Sequence, residues 1–173
     1  MIIVLIGYMG SGKSTIGKAL ATMLNCDFLD LDDYISDKEN TSISNLFKSK
    51  GEIYFRKKET EYLKELVNSS QPIVLALGGG TPCYGNNMTL LTETPHVVSF
   101  YLKLSIPLLA KRLFNERDTR PLISHLETEV ELLEFIGKHL FERTQYYNKS
   151  DFTLQTDHKS EQEILEDLMS HLV

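Results

Sequence analysis

A three-layer α/β/α sandwich around a parallel five-stranded sheet is the fold class this chain predicts, on three observations. Five strand-like apolar runs recur along the chain, with helical patterns between them. Runs such as Ile73-Val74-Leu75-Ala76-Leu77 are apolar at every position, which suits parallel strands covered on both faces. The first run leads into Gly7-Tyr8-Met9-Gly10-Ser11-Gly12-Lys13-Ser14-Thr15, a G-x-x-x-x-G-K-S phosphate-binding loop set between a buried strand and a helix start. Alternation of this kind places helices on both faces of one sheet.

The first strand is expected over residues 2–6 and the first helix over 14–24, with Ile16, Leu20, Met23 and Leu24 on one face. Glycines in the intervening turn let successive N–H groups point at phosphate oxygens, and the helix presents its positive end to the anion. Lys13 reaches toward the terminal phosphates and the Ser14 hydroxyl is a Mg²⁺ ligand candidate, so nucleotide triphosphate binding is expected. The second strand, 27–29, runs into Asp30-Leu31-Asp32-Asp33. Alternation puts Asp30 and Asp32 on one side if the extended conformation persists. A kinase needs one acid near Mg²⁺ and another near the acceptor hydroxyl, and this pair offers that division.

Residues 33–71 exceed what a crossover requires and read as short helices around 34–38 and 43–50 followed by a longer one over 52–67. An excursion of this size usually builds a substrate pocket. Arg56 and Glu59 lie three apart on that helix, so Glu59 can hold the guanidinium as a pre-oriented fork for a carboxylate; the alternative is a surface ion pair of little energetic weight. The third strand, 73–77, is followed by Gly78-Gly79-Gly80, which suggests a ligand lying against backbone N–H groups or tight packing of the next segment. After the fourth strand, 97–102, residues 111–124 carry Arg112, Arg117 and Arg120, with Pro121 unable to continue a helix. A basic segment beside a phosphate site is suited to be a mobile lid. The fifth strand is expected over 152–155, and the polar stretch 156–162 reads as a turn before the last helix.

Length and composition fit one soluble globular domain: 173 residues, 42% hydrophobic and 24% charged. A net charge of −6 gives no support to nucleic-acid or anionic-membrane binding, so any bound anion must be held by local arginines. Cys26 and Cys83 lack metal-ligand spacing and are expected to be reduced thiols. The first apolar run is too short for a membrane span and lacks the flanks of a signal peptide. Asn148-Lys149-Ser150-Asp151 matches the guanine-reading N-K-x-D of GTPases, but it precedes a strand instead of following one, and no D-x-x-G switch motif accompanies it.

Taken together, these residues resemble the shikimate kinase family over nearly the whole chain. The resemblance is carried by the phosphate loop with Thr15, Asp30-x-Asp32, Gly51-x-x-x-Phe55-Arg56-x-x-Glu59, the Gly78-Gly79-Gly80 turn, Arg120-Pro121-Leu122 and Arg143-x-x-x-Tyr147, in the family's order and approximate spacing. It implies a P-loop kinase fold with sheet order 2-3-1-4-5, a single domain over residues 1–173, a shikimate-binding insertion at 33–71 and a lid at 111–124. The implied activity is ATP-dependent phosphorylation of the shikimate 3-hydroxyl, in the route to chorismate and the aromatic amino acids, by a monomeric cytoplasmic enzyme without nucleic-acid or membrane partners.

By resemblance, Gly10, Ser11, Gly12, Lys13, Ser14, Thr15, Arg112 and Arg120 bind ATP, Ser14 ligates Mg²⁺ and Asp30 acts on the metal through water. Asp32 holds the acceptor hydroxyl, Arg56 and Arg143 clamp its carboxylate, Gly78, Gly79 and Gly80 meet the ring hydroxyls, and Phe47 and Phe55 line the pocket. Lys13, Asp32 and Arg120 form the catalytic set. Two features depart from the family pattern: a slightly long lid, with Arg112 eight residues before Arg120, and His158-Lys159 where an arginine often stands near the adenine. Other small-molecule P-loop kinases, for gluconate or nucleoside monophosphates, are the nearest alternatives. A non-catalytic nucleotide switch would need Lys13 and Ser14 but neither Asp32 nor Arg56.

Overall fold

A computed structural model describes residues 1–172. Five strands, β1 (Ile2–Ile6), β2 (Asp27–Asp30), β3 (Ile73–Ala76), β4 (Val97–Lys103) and β5 (Phe152–Gln155), form one sheet in the order β2-β3-β1-β4-β5. Every neighbouring pair is parallel. The expected class and strand order are both present, with strand ends moved by one residue at β2, β3 and β4.

The central strand β1 is buried at all five positions, and its alternating side chains feed two cores. Ile2, Val4 and Ile6 face the larger one, which extends under the insertion and the C-terminal half. Ile3 and Leu5 face a smaller core closed by α1 (Lys13–Leu24) and α7 (Glu161–Ser170). Helix α1 lies so close to the sheet that Gly17 has no room for a side chain: an added Cβ would stand 2.4 Å from Phe28 Cε2 and 3.2 Å from Leu5 Cδ1. Alanine would gain about 1 kcal/mol of helix propensity, whereas overpacking costs about 1–3 kcal/mol. Gly17→Ala is expected to lower the midpoint of a thermal melt by a few degrees; a rise would mean that the Phe28 ring yields freely.

Two local features depart from the sequence reading, and a third bears it out. The extended conformation does not continue through Asp32. Asp30 (φ −101°, ψ 127°) is the N-cap of α2 (Leu31–Glu39), and its Oδ1 accepts from the Asp32 backbone N–H at 3.0 Å. Asp is a strong N-cap, and this competition with the strand ends it there. Asp32 therefore points from a helix rather than a strand, and the expected short helix at 34–38 is the middle of a longer one. The two helices expected at 43–50 and 52–67 are both present within α3 (Ile43–Val67), separated as expected at Gly51 (φ 81°, ψ 171°), whose positive φ favours glycine. Finally, the C-terminal part of α5 (Ile106–Glu116) occupies the start of the 111–124 segment, with a 3₁₀ turn at Arg117–Thr119 beyond it.

Partly buried hydrogen bonds fasten the pieces. Tyr54 and Tyr62 of α3 both donate to the Glu39 carboxylate at 2.7 Å, tying the insertion to α2. The GTPase-like tetrapeptide is structural: Asp151 Oδ2 accepts from the Ser99 backbone N–H at 2.8 Å and from the Ser99 hydroxyl at 2.7 Å, locking the start of β5 to β4. Cys26 and Cys83 are free thiols, and Cys83 lies in a 3₁₀ turn. No described helix is long and apolar enough to cross a membrane.

Candidate active site

Ligands of open parallel sheets bind beyond the carboxyl ends of the strands. The segments following β1, β2 and β3 meet there around two adjoining cavities of about 400 and 380 Å³, a size suited to small ligands.

The first is a phosphate cavity. Gly10 (φ 78°) and Gly12 (φ 94°) take left-handed conformations that let the loop curl into α1. Gly12 is the helix N-cap and supplies no side-chain acceptor, so the first-turn N–H groups are left for an anion. Gly10, Gly12, Lys13, Ser14, Thr15, Asp30, Asp32, Arg112 and Arg120 all line this cavity. Ser11 does not: it is buried behind the loop, and its Oγ has no hydrogen-bond partner. Lys13 Nζ donates to the carbonyls of Gly7 (2.8 Å) and Tyr8 (3.0 Å). Burial pulls its pKa down to about 8, against the raising effect of Asp30 and Asp32. A triphosphate arriving at this ammonium would favour the charged form.

The second cavity is lined by Asp32, Phe47, Phe55, Arg56, Gly78, Gly79, Gly80, Arg120 and Arg143. Asp32 and Arg120 border both cavities and so stand at the junction where a phosphoryl group would pass. Burial, reinforced by the charges of Asp30 and Glu59, pushes the Asp32 pKa up to about 6, with Lys13 and Arg56 opposing. A carboxylate in that range is a better proton acceptor than a solvated one and remains ionised at neutral pH.

Arg56 is fixed from behind rather than paired at the surface. Its Nη1 donates to Glu59 Oε1 at 2.8 Å, and Glu59 is 1% exposed. Glu59 Oε2 accepts from the Thr81 hydroxyl at 2.7 Å, and Asn87 Nδ2 closes the network on the Thr81 carbonyl at 2.9 Å. Arg143, on α6 (Glu129–Tyr147), faces the cavity with its guanidinium 5.7 Å from the Tyr8 ring. Tyr8 in turn shares a 2.9 Å hydrogen bond with His139 Nδ1, one helical turn before Arg143.

The three glycines after β3 have a shared reason. An added Cβ at Gly78 would stand 3.1 Å from Asp32 Oδ1, at Gly79 3.3 Å from Arg143 Nη1, and at Gly80 2.9 Å from Arg56 Nη2. Each makes room for one charged group of the acceptor cavity. Tyr147 holds the middle of this turn, its hydroxyl donating to the Gly79 carbonyl at 2.5 Å.

Sequence reasoning passed over several neighbours. Met9 lines both cavities, Glu116 the first, and Ile43, Thr119, Pro121 and Leu122 the second. Met9 sits inside the phosphate-loop motif at a position the motif leaves free. Thr81 and Asn87 carry no local signal, because their role depends on a carboxylate from a distant helix.

Ser14 Oγ donates to Asp30 Oδ2 at 3.1 Å. A hydroxyl beside a carboxylate is a set of hard oxygen donors of the kind Mg²⁺ prefers, since that ion keeps several waters and takes few protein ligands. These two residues fit the ion.

A parallel sheet with a phosphate loop after its first strand, paired acids after its second and a separate arginine-bearing acceptor cavity defines a P-loop kinase of small molecules. Residues 9–173 match the family model described as shikimate kinase, and the chain belongs to that family. A shikimate kinase from Flavobacterium johnsoniae is 46% identical over 170 residues, covering 98% of both chains, and one from Flavobacterium psychrophilum is 45% identical, covering 96% of this chain and 95% of the other. Among solved structures, shikimate kinase from Bacteroides thetaiotaomicron superposes with a TM-score of 0.89 at 31% identity, over 99% of this chain and 98% of that one. The Acinetobacter baumannii enzyme in complex with shikimate gives 0.84 at 30% identity, over 99% and 92%. A gluconokinase from Sinorhizobium meliloti shares the fold at 17% identity and a TM-score of 0.55.

Proposed function

We propose that this kinase transfers the γ-phosphoryl group of ATP to the 3-hydroxyl of shikimate, giving 3-phosphoshikimate for aromatic amino acid biosynthesis. The observation that carries the reading is the pair of arginines, Arg56 and Arg143, facing a cavity that also holds Asp32. An acceptor with a carboxylate at one end and a hydroxyl at the other suits that arrangement, whereas a nucleotide acceptor would call for a base-reading pocket.

In this reading the loop N–H groups and Lys13 hold the phosphates, Arg112 flanks the nucleotide, and Ser14 holds Mg²⁺ directly with Asp30 acting through water. Bound Mg²⁺ supplies charge neutralisation on the phosphate oxygens. Asp32 orients the acceptor hydroxyl and takes up its proton, while Arg120 meets the charge on the transferring group. Arg56 and Arg143 fix the acceptor carboxylate, Phe47 and Phe55 pack on the ring, and the turn at Gly78, Gly79 and Gly80 faces its hydroxyls. We further infer one kinase domain over residues 1–173, with 33–71 as the acceptor-binding insertion and 111–124 as the lid, acting as a cytoplasmic monomer on the family resemblance.

ADP release coupled to a spectroscopic readout, with shikimate, quinate and gluconate compared in parallel at saturating Mg²⁺, tests the function. Turnover is expected with shikimate alone or by a wide margin; ADP release independent of shikimate would overturn the assignment. Arg56→Ala tests the clamp. Beyond the N–H committed to Glu59 this guanidinium keeps donors for the acceptor, so the substitution removes at least one charge-assisted interaction worth about 1.5–3 kcal/mol. The shikimate KM is expected to rise roughly 10- to 100-fold, with the ATP KM nearly unchanged. An unchanged shikimate KM would reduce Arg56 to a structural partner of Glu59.

A further inference from the structure

We propose that Tyr84 is a positioning residue for acceptor binding, acting on substrate only through Arg56. The inference rests on reading Arg56 as an anchor of the acceptor carboxylate.

Arg56 stands as a partition. It lines the acceptor cavity on one side and, on the other, an outer groove that also holds Glu52, Ile53 and Tyr84. Tyr84 lines the outer groove and a neighbouring pocket beside Arg143, and makes no part of the acceptor cavity wall. Its ring lies flat behind the guanidinium, with the Arg56 Cζ 3.8 Å from the ring centroid. That is well inside the distance at which an arginine is held by an aromatic face.

The need for such a backing follows from how few bonds otherwise hold the head group. Nη1 donates to Glu59, but the buried Nε has no hydrogen-bond partner. That bond fixes Nη1, and the rest of the head group is held by ring faces, with Arg56 Cζ 5.1 Å from the Phe55 centroid and closer to Tyr84 on the side of the outer groove. Glu52 draws the head group toward the outer groove: its Oε1 pairs with Arg56 Nε at 3.8 Å, beyond hydrogen-bond distance. The Tyr84 hydroxyl donates to that same Oε1 at 3.1 Å. One tyrosine therefore does two things. Its ring blocks the outward swing, and its hydroxyl occupies the carboxylate that would invite it.

Placement in the fold makes the arrangement coherent. Tyr84 follows the 3₁₀ turn Thr81–Cys83, and Thr81 is the residue that orients Glu59. The segment directly after the triple glycine thus supports Arg56 twice, once through Glu59 and once by stacking. Tyr84 is itself 38% exposed, so its removal leaves the core intact.

Steady-state kinetics of the full-length kinase with ATP and shikimate test this on Tyr84→Phe, Tyr84→Leu, Arg56→Ala and the double variant Tyr84→Leu/Arg56→Ala. Tyr84→Leu, which fills space without an aromatic face, is expected to raise the shikimate KM about 3- to 10-fold while kcat and the ATP KM stay within about twofold. Tyr84→Phe keeps the face and is expected to recover most of that loss. In the double variant the shikimate KM is expected to equal that of Arg56→Ala alone, because a support has no effect once its load is gone. A Tyr84→Leu KM equal to wild type, or a Tyr84→Leu effect that persists in full without Arg56, would overturn the proposal. If Arg56→Ala itself leaves the shikimate KM unchanged, the anchor reading falls first and the proposal falls with it.

Discussion

Asp32→Asn is expected to lower kcat by about 10²- to 10⁴-fold, the range over which a positioned proton acceptor contributes. The amide keeps the size of the side chain and its place 3.1 Å from where a Gly78 Cβ would be, but it cannot take a proton. ATP affinity should change little, because Lys13, the loop N–H groups and Ser14 are untouched. The pH profile gives a second readout. With the Asp32 carboxyl pushed up to about 6 by burial and by its acidic neighbours, kcat/KM of the wild type should fall on the acid side with an apparent pKa near 6. That limb should be missing from whatever activity the variant retains. Near-normal kcat in Asp32→Asn would remove the residue from the chemistry.

The same raised pKa makes a statement about stability, opposite in sign to that of a salt-bridged acid. Folded Asp32 holds its proton more tightly than the ordinary carboxyl at 3.8, so folding takes up a proton between about pH 4 and 6. Its ionised form costs stability, absent below about pH 4 and fully present above about pH 6. Asparagine is neutral throughout. Asp32→Asn is therefore expected to melt a few degrees higher than wild type at pH 7 and to lose that advantage at pH 4. A variant that is more stable and nearly inactive would mark Asp32 as a group kept in an unfavourable environment for its chemistry.

The middle of the sheet was legible in the sequence because β1, β3 and most of β4 are apolar on both faces, a pattern that periodicity reads well. The phosphate loop was legible because its chemistry is local: neighbouring glycines, Lys13 and Ser14 all act within one turn. The step from Asp30 to Asp32 was not, since two locally strong tendencies compete there and the aspartate that ends the strand does so by capping a helix. Gly78, Gly79 and Gly80 signalled crowding without saying by what. The answer lies in Asp32, Arg143 and Arg56, which come from three other parts of the chain. Thr81, Asn87 and Tyr84 were silent for the same reason. Support for a charged group is a tertiary property, and an isolated threonine or tyrosine in a sequence has no pattern that announces it.

Arg120→Ala is expected to depress kcat by about 10²- to 10³-fold, the scale of losing one preorganised donor to a developing charge, and to weaken ATP binding far less. Arg120 borders both cavities, and its Nε and Nη2 donate to Glu116 Oε2 at 2.9 and 2.6 Å. Glu116 sits at the end of α5, so the pair ties the arginine to that helix beside the junction. Part of the guanidinium stays uncommitted and can add a charge-assisted bond to a phosphoryl oxygen. That bond strengthens as negative charge builds on the transferring group, which is why kcat should fall more than affinity. In the lid reading proposed above, the segment around it closes over bound substrate. Ile123 is fully buried and anchors it, while Leu122 lines the acceptor cavity yet is 62% exposed, an apolar side chain that closure over substrate would cover. Ordering each backbone residue costs about 1–2 kcal/mol, and in this reading contacts of Arg120 and Leu122 with substrates would offset it. Hydrogen exchange across residues 117–124 should therefore slow when ATP analogue and shikimate are both present, and slow less in Arg120→Ala. Equal protection in the free and ternary states would show a fixed loop, and unchanged kcat in Arg120→Ala would take this arginine out of the transfer step.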